Sequence, residues 1–266
     1  MSSRRVMSTP GAADPVHRSR CALAIMLKVP RQGYVKTRLV PPLTPHAAAD
    51  LSRCMIRDTA DNVTDACRGR HAVGVAVYTP ADADAALDAL VPAAFLRLAQ
   101  RDGSFGERLA HAAADLFATG FSGVCLIDSD SPTLPTATLV AAIGHLAENG
   151  DRLVIAGAED GGYCLIGLKA PHPEVFDRID WSTSSVRSQT LERAAATGLS
   201  VRELPRWFDV DDRESLGRLC QELLSASSGV GRDGYPAPHT RQFLVSLADQ
   251  QGEIGDWRAG VEADAG

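Results

Sequence analysis

Short apolar segments alternate with amphipathic segments along most of the chain. The first apolar run, Cys21-Ala-Leu-Ala-Ile-Met-Leu27, has no polar interruption, which is typical of a strand buried on both faces of a sheet. The pattern predicts further strands at 71–78, 95–99, 123–127, 153–158, 163–168 and 199–204, and helices at 45–66, 81–90, 105–118, 136–148, 183–196 and 213–224. Strands and helices that alternate in this way predict an α/β fold, a mainly parallel open sheet flanked by helices.

The two ends of the chain lack this alternation. Residues 1–19 are rich in Ser, Arg, Pro and Gly without periodicity, which predicts a disordered leader. Residues 20–225 form the predicted single domain, with a hairpin expected at Gly161-Gly162. Residues 226–266 contain one amphipathic segment and an acidic end, so we expect an extension that is partly helical or disordered.

Overall charge excludes some classes of protein. The 266 residues carry 27 basic and 33 acidic side chains, a net charge of −6, which argues against general nucleic-acid binding. No apolar segment is long enough for a signal peptide or a bilayer span, and the six cysteines lack metal-site spacing. We therefore expect a cytoplasmic protein with buried cysteines and no membrane contact. Neither a GxSxG elbow nor an HExxH pair is present, which gives hydrolases little support.

One loop is rich in cations. It follows the first strand and reads Lys28-Val-Pro-Arg-Gln-Gly-Tyr-Val-Lys-Thr-Arg38, which holds two of only three lysines in the chain. Cations neutralise phosphate oxygens, and Gly33 permits close backbone approach, so the loop predicts a polyphosphate site at the carboxyl end of a strand. It matches neither a Walker A loop nor a dinucleotide fingerprint. A solvated surface loop is the alternative interpretation.

Paired aspartates follow the fourth strand. Asp128 and Asp130 are separated by one residue, and a proline follows two residues after Asp130. Mg²⁺ takes one or two carboxylates and completes its shell with water and phosphate oxygens, so this pair predicts a metal site. An acidic turn before a helix is the alternative. Asp209 and Asp211 are further candidate ligands, since Asp212 beside them suits a helix N-cap.

Three other segments are candidates for contacts with a ligand. Glu159-Asp-Gly-Gly162 follows the fifth strand, where the glycines permit close approach of a ligand or simply form a hairpin. Segment 101–108 is predicted to close over a ligand, with Arg101 or Arg108 near phosphate. A capping box of Ser104 and Glu107 is the alternative interpretation, and both can hold at once. Trp181-Ser-Thr183 opens a predicted helix, where Trp181 contacts substrate or packs in the core.

These motifs, in this order, resemble a known group of transferases. The matching motifs are Lys28-x-Pro-x-x-Gly-x-Val-Lys-Thr-Arg-Leu39, Gly106-Glu-Arg-Leu109, Ser129-Asp-Ser-Pro132, Glu159-Asp-Gly-Gly-Tyr-x-Leu-Ile-Gly-Leu168, Trp181-Ser-Thr183 and Asp209-Val-Asp211. Over about residues 21–220 the chain resembles the GT-A-type radical-SAM/selenodomain-associated transferase family 1. The first motif is also similar to phospholactate guanylyltransferases and, more remotely, to molybdenum-cofactor nucleotidyltransferases.

The resemblance implies a nucleotide-diphospho-sugar transferase fold with a bound nucleotide and a divalent metal, Mg²⁺ or Mn²⁺. By position, Lys28, Lys36 and Arg38 fall in the triphosphate loop, and Asp130 falls in the metal-binding motif. Relatives commonly have Gly-Ser-Asp-Cys-Pro where this chain has Asp128-Ser-Asp-Ser-Pro, so the role of Asp128 stays open.

The candidate site residues fall into four roles. The candidate catalytic residues are Lys28, Lys36 and Asp130. The candidate nucleotide-binding residues are Lys28, Gly33, Lys36, Thr37, Arg38, Gly106 and Arg108. The candidate substrate-binding residues are Glu159, Asp160, Gly161, Gly162, Trp181, Ser182 and Thr183. The candidate metal ligands are Asp128, Asp130, Asp209 and Asp211.

The leading hypothesis is a Mg²⁺-dependent nucleotidyltransferase that joins a nucleoside triphosphate to a small phosphorylated or phosphonate acceptor and releases pyrophosphate. One alternative is a GT-A glycosyltransferase that uses a nucleotide-sugar donor. Another is a non-catalytic nucleotide-binding module. The expected partners are thus a nucleotide and a small-molecule acceptor, and a homodimer is compatible with the sequence.

Overall fold

A computed structural model describes residues 17–224 and 233–250, which form a seven-stranded sheet and its covering helices. The strands are β1 (Cys21–Lys28), β2 (Ala72–Thr79), β3 (Leu96–Ala99), β4 (Gly123–Ile127), β5 (Arg152–Ala158), β6 (Tyr163–Leu168) and β7 (Ser200–Trp207). The α-helices are α1 (Pro45–Cys67), α2 (Phe105–Ala118), α3 (Thr136–Ala147), α4 (Val186–Ala196), α5 (Arg213–Leu224) and α6 (Pro238–Gln250). Short 3₁₀ segments lie at Thr37–Leu39, Ala81–Ala89 and Pro173–Phe176.

The sheet is mainly parallel, as predicted. Its strand order is β3-β2-β1-β4-β6-β5-β7, and β6 alone among the described strands runs antiparallel to its neighbours. The predicted hairpin at Gly161-Gly162 joins β5 to β6. β1 pairs with β2 on one side and β4 on the other, which explains why its run of apolar residues has no polar interruption.

Helices cover both faces of this sheet. Along β1, Leu23 and Ile25 pack in a cluster with α1 and α3, whereas Ala22 and Ala24 pack in a cluster with α2 and α4. Alternate residues of a strand point to opposite faces, so the two clusters lie on opposite sides of the sheet. A third apolar cluster joins the first turns of α1 to α5 and α6. The arrangement confirms the predicted open sheet with helices on both faces.

Two predicted helices differ from the structure, and β7 ends at Trp207, three residues beyond its predicted end. Residues 81–89 form 3₁₀ turns with a break at Ala83 instead of an α-helix, because nearby aspartates are poor residues for a helix interior. Helix α4 begins at Val186 instead of residue 183, because Ser182 has φ 65° and the Thr183 hydroxyl bonds to the carbonyl of Asp180 at 2.7 Å.

The described residues near each end of the chain pack against the domain. Residues 1–16 of the predicted leader lie outside the described residues, and His17 stacks on Phe121 with ring centroids 4.4 Å apart. In the predicted extension, residues 225–232 and 251–266 lie outside the described residues. Helix α6 packs against α1, where the buried carboxylate of Asp58 accepts backbone N–H bonds from His239 (3.0 Å) and Thr240 (2.7 Å). The helical part of the extension is therefore packed on the same core.

Composition predicted buried cysteines and no membrane contact. All six cysteines lie in the described residues as free thiols, four of them buried and two partly buried. No helix in the described part of the chain combines the length and apolar character needed to cross a membrane.

Candidate active site

The loops that carry the candidate residues meet at one edge of the sheet. β1, β4, β5 and β7 are mutually parallel, so their carboxyl ends lie at the same edge. The antiparallel β6 presents its first residues to that edge as well. A backbone bond from the N–H of Val210 to the carbonyl of Asp130 (2.9 Å) ties the loop after β7 to the loop after β4. Four loops that are distant in sequence thus form one site.

Lys36 lies between two carboxylates. Its Nζ is 2.7 Å from Oδ1 of Asp130 and 2.8 Å from Oδ1 of Asp211, and it donates to the carbonyl of Val210 at 2.8 Å. The Lys36 side chain is only 5% exposed. Burial by itself lowers the pKa of the ammonium, but Asp130 and Asp211 raise it more, so the pKa lies above its ordinary value. Lys36 is therefore charged throughout the neutral range.

Lys36 also has an unusual backbone. Its φ of 48° and ψ of 39° are left-handed, and the 3₁₀ turn Thr37–Leu39 follows directly. Ser182, on the opposite side of the site, has φ 65°. Non-glycine residues seldom adopt this conformation, and those that do are held by their surroundings and are concentrated at functional sites. At Lys36 the three contacts of the ammonium provide that restraint.

Asp128 holds the turn that carries Asp130. Its carboxylate accepts bonds from the backbone N–H groups of Asp130 (3.3 Å) and Ser131 (3.1 Å) and from the Ser131 hydroxyl (2.8 Å). Desolvation and the neighbouring Asp130 carboxylate raise the pKa of Asp128 well above its usual range. Since its oxygens already accept these bonds, Asp128 is better placed to position Asp130 than to bind a metal directly.

Asp209 and Asp211 have different environments. Desolvation, followed by the charges of Asp160 and Asp211, raises the pKa of Asp209 to about 6. Asp212 accepts the N–H of Ser215 at 2.9 Å in front of α5, as expected of the N-cap. Of the four candidate metal ligands, the structure brings Asp130 and Asp211 together around Lys36.

The contacts of Asp130 and Asp211 with Lys36 show whether these carboxylates fit a divalent cation. Within residues 17–224 and 233–250, no three His, Cys, Asp or Glu side chains are grouped as a metal site. Mg²⁺ nevertheless needs only one or two carboxylates when phosphate oxygens and water complete its shell. Asp130 and Asp211 already enclose a monovalent cation, the Lys36 ammonium, so the donor set fits an ion that arrives together with phosphate.

Two cavities meet at these carboxylates. The first, which we name the cationic cavity, has a volume of about 270 Å³ and is lined by Lys28, Tyr34, Val35, Lys36, Thr37, Arg38, Ser52, Ser129, Asp130 and Asp211. The second, which we name the acidic cavity, has a volume of about 260 Å³. Its polar lining is Asp128, Ser129, Asp130, Asp160, Gly162, Cys164, Ser182, Thr183, Asp209 and Asp211, and its apolar and aromatic lining is Met26, Phe105, Leu109, Leu126, Ile127, Ala158, Tyr163, Trp181 and Val186. Ser129, Asp130 and Asp211 belong to both cavities and form the wall between them.

Similarity to a solved structure identifies the family. A crystal structure from Desulfovibrio desulfuricans G20, of a protein assigned provisionally to the nucleotide-diphospho-sugar transferases, is 31% identical to this chain. The match covers 88% of this chain and 98% of that one, with a TM-score of 0.72. The chain belongs to the nucleotide-diphospho-sugar transferase superfamily. A family model described as "Uncharacterized protein conserved in bacteria (DUF2064)" matches residues 59–183 of this transferase.

Two further solved structures match the chain at lower identity. One is 4-diphosphocytidyl-2C-methyl-D-erythritol synthase from Anaerococcus prevotii DSM 20548, 10% identical over 77% of this transferase and 96% of that chain, with a TM-score of 0.48. Another is Rv0371c of Mycobacterium tuberculosis H37Rv in complex with manganese, 17% identical over 76% and 98%, with a TM-score of 0.46. No curated protein is significantly similar to the chain in sequence.

Some predicted residues of this transferase lie beside the two cavities. Gly106 packs on Trp181: a Cβ at Gly106 would lie 2.7 Å from the Trp181 Nε1. The Arg108 guanidinium lies 5.6 Å from the ring centroid of Phe105, outside the lining of the cationic cavity. Gly33 has φ 78° with open space around it, so it serves the turn of the cationic loop. The nucleotide-binding roles of these three residues stay predictions.

The Glu159–Gly162 segment divides into two parts. Asp160 and Gly162 line the acidic cavity, whereas Glu159 forms an ion pair with Arg218. Gly161 has φ 96°, and a Cβ there would lie 2.1 Å from the carbonyl oxygen of Ser184. The close backbone approach predicted for this glycine is thus made by the loop of Ser184 within the chain, and that loop carries the Ser182 and Thr183 lining.

Gly161→Ala should destabilise the protein and disturb the acidic cavity. We expect a loss of about 2–4 kcal/mol in the free energy of unfolding, because left-handed strain adds to a backbone clash. Gly198→Ala is the matched control, since Gly198 has φ 74° and nothing within 4 Å of its Cβ position. It should lose only about 1 kcal/mol, the cost of the left-handed conformation. Urea denaturation measures both, and equal losses would contradict the importance of the Ser184 contact.

Sequence reasoning missed several lining residues. Tyr34 and Phe105 are 69% and 46% exposed, and they are two of the three exposed large hydrophobic residues in the described chain. Each lines one cavity. Exposure of an aromatic ring is a signal of binding that only a structure reveals. Ser52 of α1 reaches the cationic cavity without any sequence motif, whereas Tyr163 stood in a recognised motif without an assigned role.

Proposed function

We propose that this transferase is a divalent-metal-dependent nucleotidyltransferase that joins a nucleoside triphosphate to a small phosphorylated or phosphonate acceptor. The observation that carries the proposal is the shared wall of the two cavities. Lys28, Lys36 and Arg38 line one side of it, and Asp130 and Asp211 stand in the wall itself. A triphosphate in the cationic cavity and an acceptor in the acidic cavity would meet at these carboxylates.

The proposed reaction is an in-line displacement at phosphorus. An acceptor oxygen forms a bond to the α-phosphorus, and the bond from that phosphorus to the bridging oxygen of the β-phosphate breaks. Pyrophosphate leaves with the electron pair, and an ionised acceptor oxygen needs no base. The protein contributes positioning and charge, since Lys28, Lys36 and Arg38 face the region where negative charge develops.

Asp130 and Asp211 are the residues that would hold Mg²⁺ or Mn²⁺, which supplies positive charge to the phosphate oxygens when bound. The Lys36 ammonium lies between these two carboxylates. We expect this ammonium to move from the carboxylates to the phosphate when nucleotide and metal arrive together. Lys has a flexible stem and a compact charge, which suits such a movement better than the planar Arg side chain.

Glycosyl transfer from a nucleotide-sugar is the second candidate. The name of the Desulfovibrio relative favours it, and the same carboxylates would then serve a diphosphate. Three cations around a cavity of about 270 Å³ favour the more highly charged triphosphate. A non-catalytic module is the least supported, because the cations and carboxylates are held together by direct contacts at Lys36.

A thermal-shift panel with Mg²⁺ separates these candidates. Each of four nucleoside triphosphates is compared with its diphosphate and with several nucleotide-sugars. We expect one triphosphate to raise the Tm by several °C at about 100 times its Kd, a stabilisation of about 2.7 kcal/mol. Pyrophosphate release is then measured with that triphosphate and candidate acceptors. Stabilisation only by a nucleotide-sugar, with no pyrophosphate from any triphosphate, would overturn the proposal.

A further inference from the structure

The acidic cavity differs in charge from its neighbour. Five aspartates line it, namely Asp128, Asp130, Asp160, Asp209 and Asp211, and no Lys, Arg or His is among its described lining residues. The Lys36 ammonium neutralises part of the shared wall from the other side. Among the described residues, no ion pair neutralises Asp160 or Asp209, which line the same cavity. An anionic group placed there would be repelled, and a cationic group would be attracted.

The carboxylates of Asp160 and Asp209 have unused acceptor capacity. Oδ1 of Asp160 accepts the N–H of Gly162 at 2.8 Å, and no described side chain donates a hydrogen bond to either Asp160 or Asp209. Each ionised carboxylate offers about four acceptor positions. A ligand that carries N–H or O–H donors, or a positive charge, can therefore bind these carboxylates in place of water. Charge alone favours a cation over a neutral donor.

Three aromatic rings line the same cavity. Phe105 and Trp181 meet edge to face with centroids 4.9 Å apart, and Tyr163 and Trp181 do so at 6.4 Å. Aromatic faces attract ammonium groups through the ring quadrupole, most strongly for Trp. The chain already makes such a contact, because the Arg108 guanidinium lies over one face of Phe105. Aromatic walls combined with free carboxylates are the chemistry that recognises an amine or a quaternary ammonium.

We propose that the acceptor is zwitterionic: beside its phosphate or phosphonate it carries a positively charged amine, which binds in the acidic cavity between the Trp181 wall and Asp160. The assignment of this ligand as acceptor rests on the proposed nucleotidyl transfer. The acceptor's anionic end lies at the Asp130–Asp211 wall, where the metal and Lys36 supply positive charge. Its amine lies in the part of the cavity that has no counterion of its own.

Two probes of the same shape, one charged and one neutral, measure how much the charge of a ligand contributes to its affinity. Choline and its neutral isostere 3,3-dimethylbutan-1-ol are titrated into the full-length protein without nucleotide or metal, with calorimetry and tryptophan fluorescence as readouts. We expect choline to bind about tenfold more tightly, and its advantage to shrink as salt is raised. Equal affinities, a salt-independent difference, or tighter binding of glucose than of choline would each overturn the inference.

Asp160→Asn tests the residue assignment. It removes one charge with almost no change in shape, and we expect it to weaken choline binding about tenfold while binding of the neutral isostere is unchanged. Asp65→Asn removes the same charge at the far end of α1, where Asp65 pairs with Arg68, and should leave both affinities unaltered. Unchanged choline affinity in a folded Asp160→Asn protein would overturn the assignment. If that variant does not fold, the salt dependence of choline binding to the unaltered protein decides.

These measurements are independent of the nucleotidyl-transfer assay. Preferential choline binding without pyrophosphate release from any triphosphate would refute the proposed function and leave the amine site standing. Pyrophosphate release with neutral acceptors alone, with no preference for choline over its isostere, would refute the amine site and leave nucleotidyl transfer standing.

Discussion

Lys36→Met is expected to lower turnover by about 10²–10³-fold and at the same time to strengthen the binding of Mn²⁺ in the absence of nucleotide. Turnover falls because the developing charge on the triphosphate loses a buried cation. Mn²⁺ binding strengthens because the ammonium that lies 2.7–2.8 Å from Asp130 and Asp211 no longer competes for those carboxylates. Steady-state kinetics and the electron paramagnetic resonance signal of free Mn²⁺ measure the two effects.

Lys169→Met is the matched control for this substitution. Lys169 is the third lysine of the chain and bonds to the carbonyl of Glu148, away from both cavities. Neither turnover nor Mn²⁺ affinity should change in that variant. Lys36→Arg should restore little activity, because a planar guanidinium cannot replace a compact charge between two carboxylates. An unchanged Mn²⁺ affinity in Lys36→Met would show that the ammonium and the metal do not share a position.

Asp130→Asn is expected to reduce turnover by at least about 10³-fold with the fold intact. This residue is part of the wall between the cavities, is held by the bonded turn of Asp128, and contacts Lys36. Its loss removes a metal ligand and leaves Lys36 with one carboxylate. Pyrophosphate release measures activity, and circular dichroism with a urea titration verifies folding.

Asp212→Asn is the control for the loss of one negative charge near the same wall. Asp212 caps α5 through the N–H of Ser215, and Asn is an equally good N-cap, so stability and turnover should both be close to those of the unaltered protein. Turnover retained by Asp130→Asn would exclude Asp130 as a metal ligand and remove the main support for metal-dependent chemistry at this wall.

The sequence predicted most of the sheet because β1, β4, β5 and β6 are largely apolar, whereas the polar strand β7 extends beyond its predicted end. Helix starts were predicted well where the sequence carries a capping signal. Helix α2 illustrates this, since Ser104 and Glu107 form the predicted capping box and the helix has the predicted bounds. The segment at 81–89 was less predictable, because a run of Ala and Asp has a helical pattern but weak helix propensity in its aspartates.

The sequence predicted which loops and residues form the candidate site, but not which of these residues contact one another. Loop position indicated that Lys36 and Asp130 would lie near one another, since β1 and β4 would end at one edge. Asp211 was predicted only as one of two further candidate metal ligands, because its contact with Lys36 depends on the path of the loop that follows β7. The glycines of 159–162 were ambiguous for a related reason: the backbone that approaches Gly161 comes from a segment whose path no local pattern predicts.

The bond between Val210 and Asp130 has a consequence for how such transferases diversify. It joins two loops directly, so the spacing of the two wall carboxylates does not depend on the length of the chain that connects β6 to β7. That connecting segment carries Trp181, Ser182 and Thr183, which line the outer part of the acidic cavity. Insertions and substitutions there would change the lining of the acidic cavity while the spacing of the two wall carboxylates is kept. The fold thus separates the segment between β6 and β7, which can vary in length and sequence, from the two wall carboxylates, whose spacing is fixed by a backbone bond.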